Sequence, residues 1–239
     1  MRRLAASLLD LVFPPQCHLC KVSLSHGKAI CDTCLTDLPR IDESYCMRCS
    51  EPFEGEFSEN PICPNCHKLT FTFLYAKAAL KNSELTRKLI IDYKYGKQRH
   101  LAKVLATCCA EVIMNDSRFN SLPDPILIPV PLHWRRKLMR GFNQAELLTN
   151  EISKLTGIPS SPMIQRTRYT TTQTRLSRKQ RMQNLKDAFT IKPNSRPIRT
   201  AILIDDVFTT GSTSEACAST LKKECAKLEN IVVVTALRG

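Results

Sequence analysis

The chain has 239 residues, 43% hydrophobic and 24% charged, the balance of an ordinary globular protein and enough length for a small domain joined to a medium one. Residues 1–75 hold seven Lys and Arg against nine Asp and Glu, while residues 76–239 hold 28 against 13. This asymmetry excludes a uniformly basic coat and makes phosphates, on a small molecule or on nucleic acid, the natural partners of the second part.

Met1 to Pro15 joins Arg2 and Arg3 to an apolar run, as an export signal would. Asp10 interrupts the run, and Pro14-Pro15 leads into the first cysteine pair without a small-residue cleavage site. The spacing predicts an amphipathic helix with Leu4, Leu8, Leu11 and Val12 on one face. No stretch approaches the length of a membrane span. The expected compartment is the cytoplasm, where thiols stay reduced.

Eight of the twelve cysteines then fall between Cys17 and Cys66, all in Cys-x-x-Cys pairs: Cys17/Cys20, Cys31/Cys34, Cys46/Cys49 and Cys63/Cys66. Each pair can turn two thiolates toward one ion, and two pairs complete a tetrahedral sulfur site. Four pairs predict two structural zinc ions, with an iron–sulfur cluster as the alternative. A redox motif needs one pair, not four. Sequential grouping is preferred, and interleaved grouping stays open. Eight thiolate ligands leave no open coordination position, so the metal is not catalytic. They also add negative charge to a region that already has a net −2, which disfavours nucleic-acid binding there. His18, His26 and His67 are expected to face solvent. Cys108, Cys109, Cys217 and Cys225 lack ligand spacing and read as small buried apolar side chains. The expected organisation is a cysteine-rich module over residues 1–70 and a larger domain over 71–239.

After Cys66 the pattern changes. Strands are predicted over Tyr75–Leu80, Ile126–Val130, Thr200–Ile204 and Asn230–Ala236, the last two nearly continuous apolar runs of the kind buried parallel strands show. Helices are predicted over Ser83–Tyr93, Leu101–Ile113, Asn143–Thr156 (ended by Gly157) and from Ser214 to about Lys227. Alternating strands and helices predict an α/β doubly wound, mainly parallel sheet.

Such sheets bind ligands beyond the carboxyl ends of their strands. After Ile204 come Asp205 and Asp206, then Thr209, Thr210, Gly211, Ser212 and Thr213, then a helix. Hydroxyls, backbone N–H groups and a helix dipole suit a phosphate. The adjacent carboxylates suit a ribose diol or a bound Mg²⁺. The competing reading is a capped helix start beside a solvated acidic pair.

Ala201 to Thr213, four apolar residues followed by Asp-Asp-x-x-Thr-Thr-Gly-x-Thr, resembles the phosphoribosyl pyrophosphate (PRPP) motif of type I phosphoribosyltransferases. Nearly the whole chain resembles the ComF family of competence-associated bacterial proteins. The four cysteine pairs are followed by Tyr93-Lys94-Tyr95-Gly96, Ile128-Pro129-Val130-Pro131-Leu132, Arg140-Gly141-Phe142-Asn143-Gln144-Ala145, Arg166-Thr167, Leu176-Ser177, Ala188-Phe189 and the PRPP-like loop. The resemblance implies a type I phosphoribosyltransferase-like domain behind a double zinc ribbon. It implies PRPP and Mg²⁺ as ligands, with Asp205 and Asp206 on the ribose hydroxyls and Thr209 to Thr213 on the 5-phosphate. It places Lys94, Tyr95, Gly96 and Lys97 at the pyrophosphate, and makes 166–184, with Arg166, Arg175, Arg178 and Arg181, a flexible loop over the ligand.

Trp134, Arg135, Arg136 and Arg140 form a second basic cluster. Its tryptophan could stack a base while the cations hold phosphates, although packing on the sheet edge is the preferred reading of Trp134. Three roles follow from the resemblance: a PRPP-binding protein of DNA uptake that also holds single-stranded DNA, an active transferase for an acceptor no segment specifies, and a zinc-ribbon docking adaptor for a competence helicase or processing protein.

Overall fold

The computed structural model describes residues 15–25, 27–41, 44–53, 55, 61–168, 184–185, 187–193 and 195–239. The expected amphipathic helix, His26, Arg175, Arg178 and Arg181 lie outside them.

Two short helices, α1 (Asp32–Thr36) and α2 (Pro64–His67), belong to the cysteine-rich region. Strand β1 (Ala76–Leu80) follows, then α3 (Glu84–Tyr95), α4 (Leu101–Asn115), α5 (Ser117–Asn120) and β2 (Pro125–Pro129). Next come α6 (Trp134–Arg140), α7 (Gln144–Thr156), the short strands β3 (Ile164–Arg166) and β4 (Phe189–Ile191), β5 (Thr200–Phe208), α8 (Ser212–Glu224) and β6 (Asn230–Arg238). Helix starts carry their own chemistry. Ser83 and Thr86 form a reciprocal capping box on α3, and the Asn143 side chain accepts from Ala145 N–H at the start of α7.

The sheet runs β1-β6-β5-β2, all parallel, extended at β2 by a parallel bridge from Leu127 to Ser160. Strands buried on both faces need apolar residues at every position, and β5 and β6 supply them. Ile202, Ile204, Val232 and Val234 join Leu105, Leu148 and Ile152 of α4 and α7 in one core. Ala201, Leu203, Ile231 and Val233 face Cys217, Ala218 and Leu221 of α8 and Phe189 of the antiparallel β3–β4 pair in the other. The architecture is the expected one, helices on both faces of a mainly parallel sheet. Cys108, Cys109 and Cys217 are fully buried, as small apolar side chains; Cys225 is half-buried.

The cysteine-rich region is built onto this sheet. Ile41 N–H donates to Ala79 C=O, and Lys81 N–H to Pro39 C=O, so residues 39–41 pair along the outer edge of β1, which would otherwise be open to association. Ser50 Oγ accepts from Ala78 N–H and donates to Ala76 C=O. Arg118, held by a bidentate pair with Asp116, lies 4.2 Å above the Tyr75 ring and donates to Met47 C=O. Cys46, Cys49, Cys63 and Cys66 are part of the same apolar cluster as Ile128, Leu203 and Phe208. Among the described residues no helix is long and apolar enough to cross a membrane.

Candidate functional site

The eight ribbon cysteines gather as two groups, Cys17/Cys20/Cys31/Cys34 and Cys46/Cys49/Cys63/Cys66, with the four sulfurs of each within 4.8 Å of one another. This is the sequential grouping. Zinc at about 2.3 Å from each sulfur sets neighbouring sulfurs roughly 3.8 Å apart. The Cys20–Cys31 and Cys49–Cys63 sulfurs stand at 3.7 Å, far beyond a disulfide bond. Both groups repeat one device: the N–H of the third cysteine donates to the sulfur of the first, Cys31 to Cys17 and Cys63 to Cys46, each at 3.3 Å. The Cys49 thiol and backbone donors hold Cys46 down to about 4. Burial opposes ionisation of Cys17, but the N–H groups of Cys20 and Cys31 still bring it down to about 6. Each set therefore fits a tetrahedral thiolate centre, one more exposed at Cys20 and one fully buried.

The His18 Nε2 lies 2.8 Å from Asp92 Oδ2 on α3 and its side chain is 15% exposed. His18 is thus a docking contact between the first ribbon and α3 rather than the solvent-facing residue expected; His67 is exposed, as expected.

The second assembly stands at the carboxyl rim of the sheet. Strand β5 continues past Ile204 to Phe208, paired with β6 through Phe208 and Arg238. Asp205 and Asp206 are therefore strand residues. Alternation sends their side chains to opposite faces, and both still line one cavity of about 680 Å³. Asp206 is 6% exposed and its Oδ1 meets Lys94 Nζ at 2.9 Å. Asp205 accepts the Asp206 N–H at 2.8 Å. Burial, then the Asp206 carboxylate, push Asp205 up to about 7, against the Lys94 charge.

Thr209 and Thr213 add hydroxyls to the same wall. Between them the chain turns at Gly211, whose φ of +74° suits glycine; a Cβ there would meet Phe208 Cζ at 2.7 Å and Phe71 Cε1 at 3.3 Å. Among the described residues no side chain caps α8 at Gly211, and the N–H groups of a helix's first turn suit an anion. Thr210 Oγ1 and Ser212 Oγ are paired with each other at 2.9 Å. Gly211→Ala should lower stability by about 1–3 kcal/mol through left-handed strain alone; a thermal melt reads it, and an unchanged midpoint would mean that the turn relaxes freely.

The opposite wall is the junction of three helix ends. Tyr93 OH donates to Gln144 C=O at 2.7 Å, Arg140 Nη1 donates to Gln144 Oε1 at 3.0 Å, and Arg140 Nη2 donates to Tyr95 OH at 3.1 Å. Lys97 adopts a left-handed φ of 54° just past Gly96. Another hollow, about 760 Å³, lies beside Ile126, Pro159 and Ile198 at the amino ends of β2 and β5, away from the strand ends where α/β sheets bind ligands.

Residues 8–67 match the double zinc ribbon domain family. The chain is 32% identical to Competence protein F of Haemophilus influenzae over 213 residues, 87% of this chain and 91% of that protein. The chain belongs to the ComF family. ComF-type relatives also include DNA utilization protein YhgH of Escherichia coli, 32% identical over 90% of this chain and 94% of its own, and Competence protein ComFC of Bacillus subtilis, 27% identical over 88% and 86%. A solved adenine phosphoribosyltransferase overlaps 61% of this chain and 74% of its own with a TM-score of 0.37 and 14% identity, a likeness too distant to bear on ligand or fold.

In this ComF-family chain, Lys94, Tyr95, Lys97, Asp205, Asp206, Thr209 and Thr213 meet at the cavity, joined by Arg136, Arg140 and Arg166. Gly96 caps α3 behind it, and Thr210, Gly211 and Ser212 shape the turn. Arg166 is not in a loop: it is the last residue of β3, its guanidinium 5.4 Å from the Phe189 ring. Burial, then the nearby Arg136 charge, bring it down to about 10. Trp134 is not packed on the sheet edge: it is 61% exposed on α6, beside Leu138 and Met139, which are 79% and 80% exposed. Asn143 and Gln144 line the cavity without being singled out from sequence as site residues. Their signal was the Arg140-to-Ala145 run, which encodes a helix end, a glycine cap and a new helix start in six residues.

Proposed function

We propose that the chain binds PRPP with Mg²⁺ at the carboxyl rim of the sheet and works in the cytoplasm in the handling of incoming DNA. The observation that carries the proposal is the convergence of Lys94, Asp205, Asp206, Thr209 and Thr213 on one cavity. The uncapped start of α8 would take the 5-phosphate, the carboxylates the ribose hydroxyls, and Lys94, Lys97 and Mg²⁺ the pyrophosphate. On this reading residues 1–70 are a stabilising double ribbon and residues 71–239 the ligand domain. Names such as Competence protein F and DNA utilization protein support the DNA role. A thermal melt with and without PRPP at millimolar Mg²⁺ tests it. Ligand at a hundred times its dissociation constant adds about 2.7 kcal/mol of stability, and an unchanged midpoint at millimolar PRPP counts against the proposal.

One feature favours a second ligand on the same face. Helix α6 has no buried residue and carries Trp134, Arg135, Arg136, Lys137 and Arg140. Arg135 stands 5.3 Å from the Trp134 ring, and Arg140 lies 4.8 Å from that of Tyr95. Exposed aromatics among cations suit the bases and phosphates of single-stranded DNA. Replacing Arg135, Arg136 and Arg140 together by Ala should flatten the log–log salt dependence of oligonucleotide binding by about 2, at roughly 0.7 per lost phosphate contact. Wild-type affinity and slope in that variant would assign DNA to another surface.

A further inference from the structure

Arg238, on β6, is not part of the cavity wall, yet it holds the turn that is. Its Nη1 donates to Phe208 C=O at 2.9 Å and Thr209 C=O at 3.0 Å, and also to Gly239 C=O. Its Nη2 is paired with Glu51, and its side chain is only 11% exposed. The guanidinium also stands 5.5 Å from the Phe208 ring. Glu51 is part of the second ribbon's first knuckle, where its carbonyl accepts the Cys46 N–H at 2.8 Å. One side chain thus joins a segment that a zinc ligand holds in place to the carbonyls that open the phosphate turn.

The peptide geometry gives this bridge a consequence. In a planar trans peptide the C=O and the following N–H point in opposite directions. Fixing the Phe208 and Thr209 carbonyls on Arg238 turns the N–H groups of Thr209 and Thr210 away from it, where an anion can reach them. The Phe208 carbonyl also takes the Gly239 N–H at 2.9 Å. The Thr209 carbonyl is held by Arg238, so the Thr210 N–H depends on it most.

A second contact runs the same way. Thr72, just past the last ribbon cysteine, donates its N–H and Oγ1 to Glu215 in the first turn of α8 at 2.8 and 2.6 Å. Phe73 packs edge-on against Phe208, with ring centres 6.1 Å apart. The segment that leaves the second ribbon thus contacts both the turn and the helix that follows it.

We infer that Arg238 is a positioning residue that couples the second zinc ribbon, through Glu51, to the affinity of the phosphate turn. This deepens the PRPP reading and rests on it. Coupling free energy is reciprocal. If an ordered ribbon sharpens the turn, then ligand in the turn must tighten metal binding in the ribbon by the same factor.

The test uses the full chain with both zinc ions, PRPP with Mg²⁺ as ligand, and the variants Arg238→Met, Arg238→Lys and Glu51→Gln. Arg238→Met should weaken PRPP at least tenfold at unchanged zinc content. Arg238→Lys should recover little, because the turn carbonyls are held by Nη1 and Glu51 by Nη2, and the single nitrogen of an ammonium cannot span both as a planar fork does. Equilibrium competition with a chelator should resolve two zinc ions, the tighter one at the buried Cys46 site. Saturating PRPP should raise the affinity for that ion in wild type and leave it unchanged in Arg238→Met and Glu51→Gln, each at its own saturating concentration. A merely structural arginine would lower stability without removing this tightening. If Arg238→Met fails to fold, Glu51→Gln, which alters a carboxylate 42% exposed, carries the same comparison. Wild type that binds PRPP while the variants bind it and tighten zinc equally well overturns the inference alone. Wild type that does not bind PRPP overturns the underlying reading.

Discussion

Changing Cys46 or Cys63 to Ser should reduce bound zinc from two ions per chain to one and abolish cooperative thermal unfolding of the whole protein. Structural zinc in small ribbons contributes on the order of 10 kcal/mol, comparable with the entire stability of a domain. The loss would not stay local. Cys46, Cys49, Cys63 and Cys66 are at most 3% exposed and belong to the core that contains Ile128, Leu203, Phe208 and Leu221. Without metal, four thiols would occupy a volume shaped for a charged centre, in the same apolar cluster as Leu203 and Phe208 of the strand that carries Asp205 and Asp206. The first site offers the internal contrast. Cys20 is exposed and Cys31 and Cys34 are half-buried, so Cys20→Ser should cost one zinc while leaving a folded sheet. Metal analysis and a circular-dichroism melt read both. A cooperative melt in Cys46→Ser would show that the second ribbon is an appendage.

Asp206→Asn should weaken PRPP binding at least a hundredfold. Hydrogen bonds to a charged group contribute about 1.5–3 kcal/mol each, and the carboxylate offers two to a ribose diol while also holding Lys94. Asp205→Asn should change the pH dependence instead. Asp205 is raised to about 7 by burial and by Asp206, so in the free protein it is half protonated near neutrality. A carboxylate that serves a diol or a cation must be ionised, so affinity in wild type should rise between pH 6 and 8 as that proton leaves. The ligand's own phosphates titrate equally in both proteins, which makes the variant the control. The extra rise should vanish in Asp205→Asn, and identical profiles would remove Asp205 from the binding step. The same shift acts on folding with the opposite sense. A carboxyl whose folded pKa lies above its unfolded value of about 4 costs stability as pH climbs from that value to 7, and the cost stays constant above.

Much of this was legible in the sequence because the signals were local. Cysteine spacing fixes ligand geometry, and the apolar runs at 200–204 and 230–236 have few alternatives to buried parallel strands. The turn at 209–213 announces itself through one glycine among hydroxyls. Harder to read was what depends on partners far along the chain. Asp205 and Asp206 look like the start of a loop but continue β5, because Val207 and Phe208 still pair with β6. Trp134 reads in the sequence as a sheet-edge residue, yet it is 61% exposed on a helix with no buried residue. His18 gives no sign in sequence of its contact 74 residues away with Asp92. Arg238 and Glu51 look like ordinary surface charges until the fold brings ribbon and turn together.

The most direct measurement is a calorimetric titration of the intact, zinc-loaded chain with PRPP at millimolar Mg²⁺. Saturable heat at one ligand per chain, absent in the Asp205→Asn/Asp206→Asn double variant with both zinc ions retained, is the predicted result. Flat heats from the wild type, or equal binding by the double variant, would contradict the assignment of the sheet's carboxyl rim to a ribose phosphate.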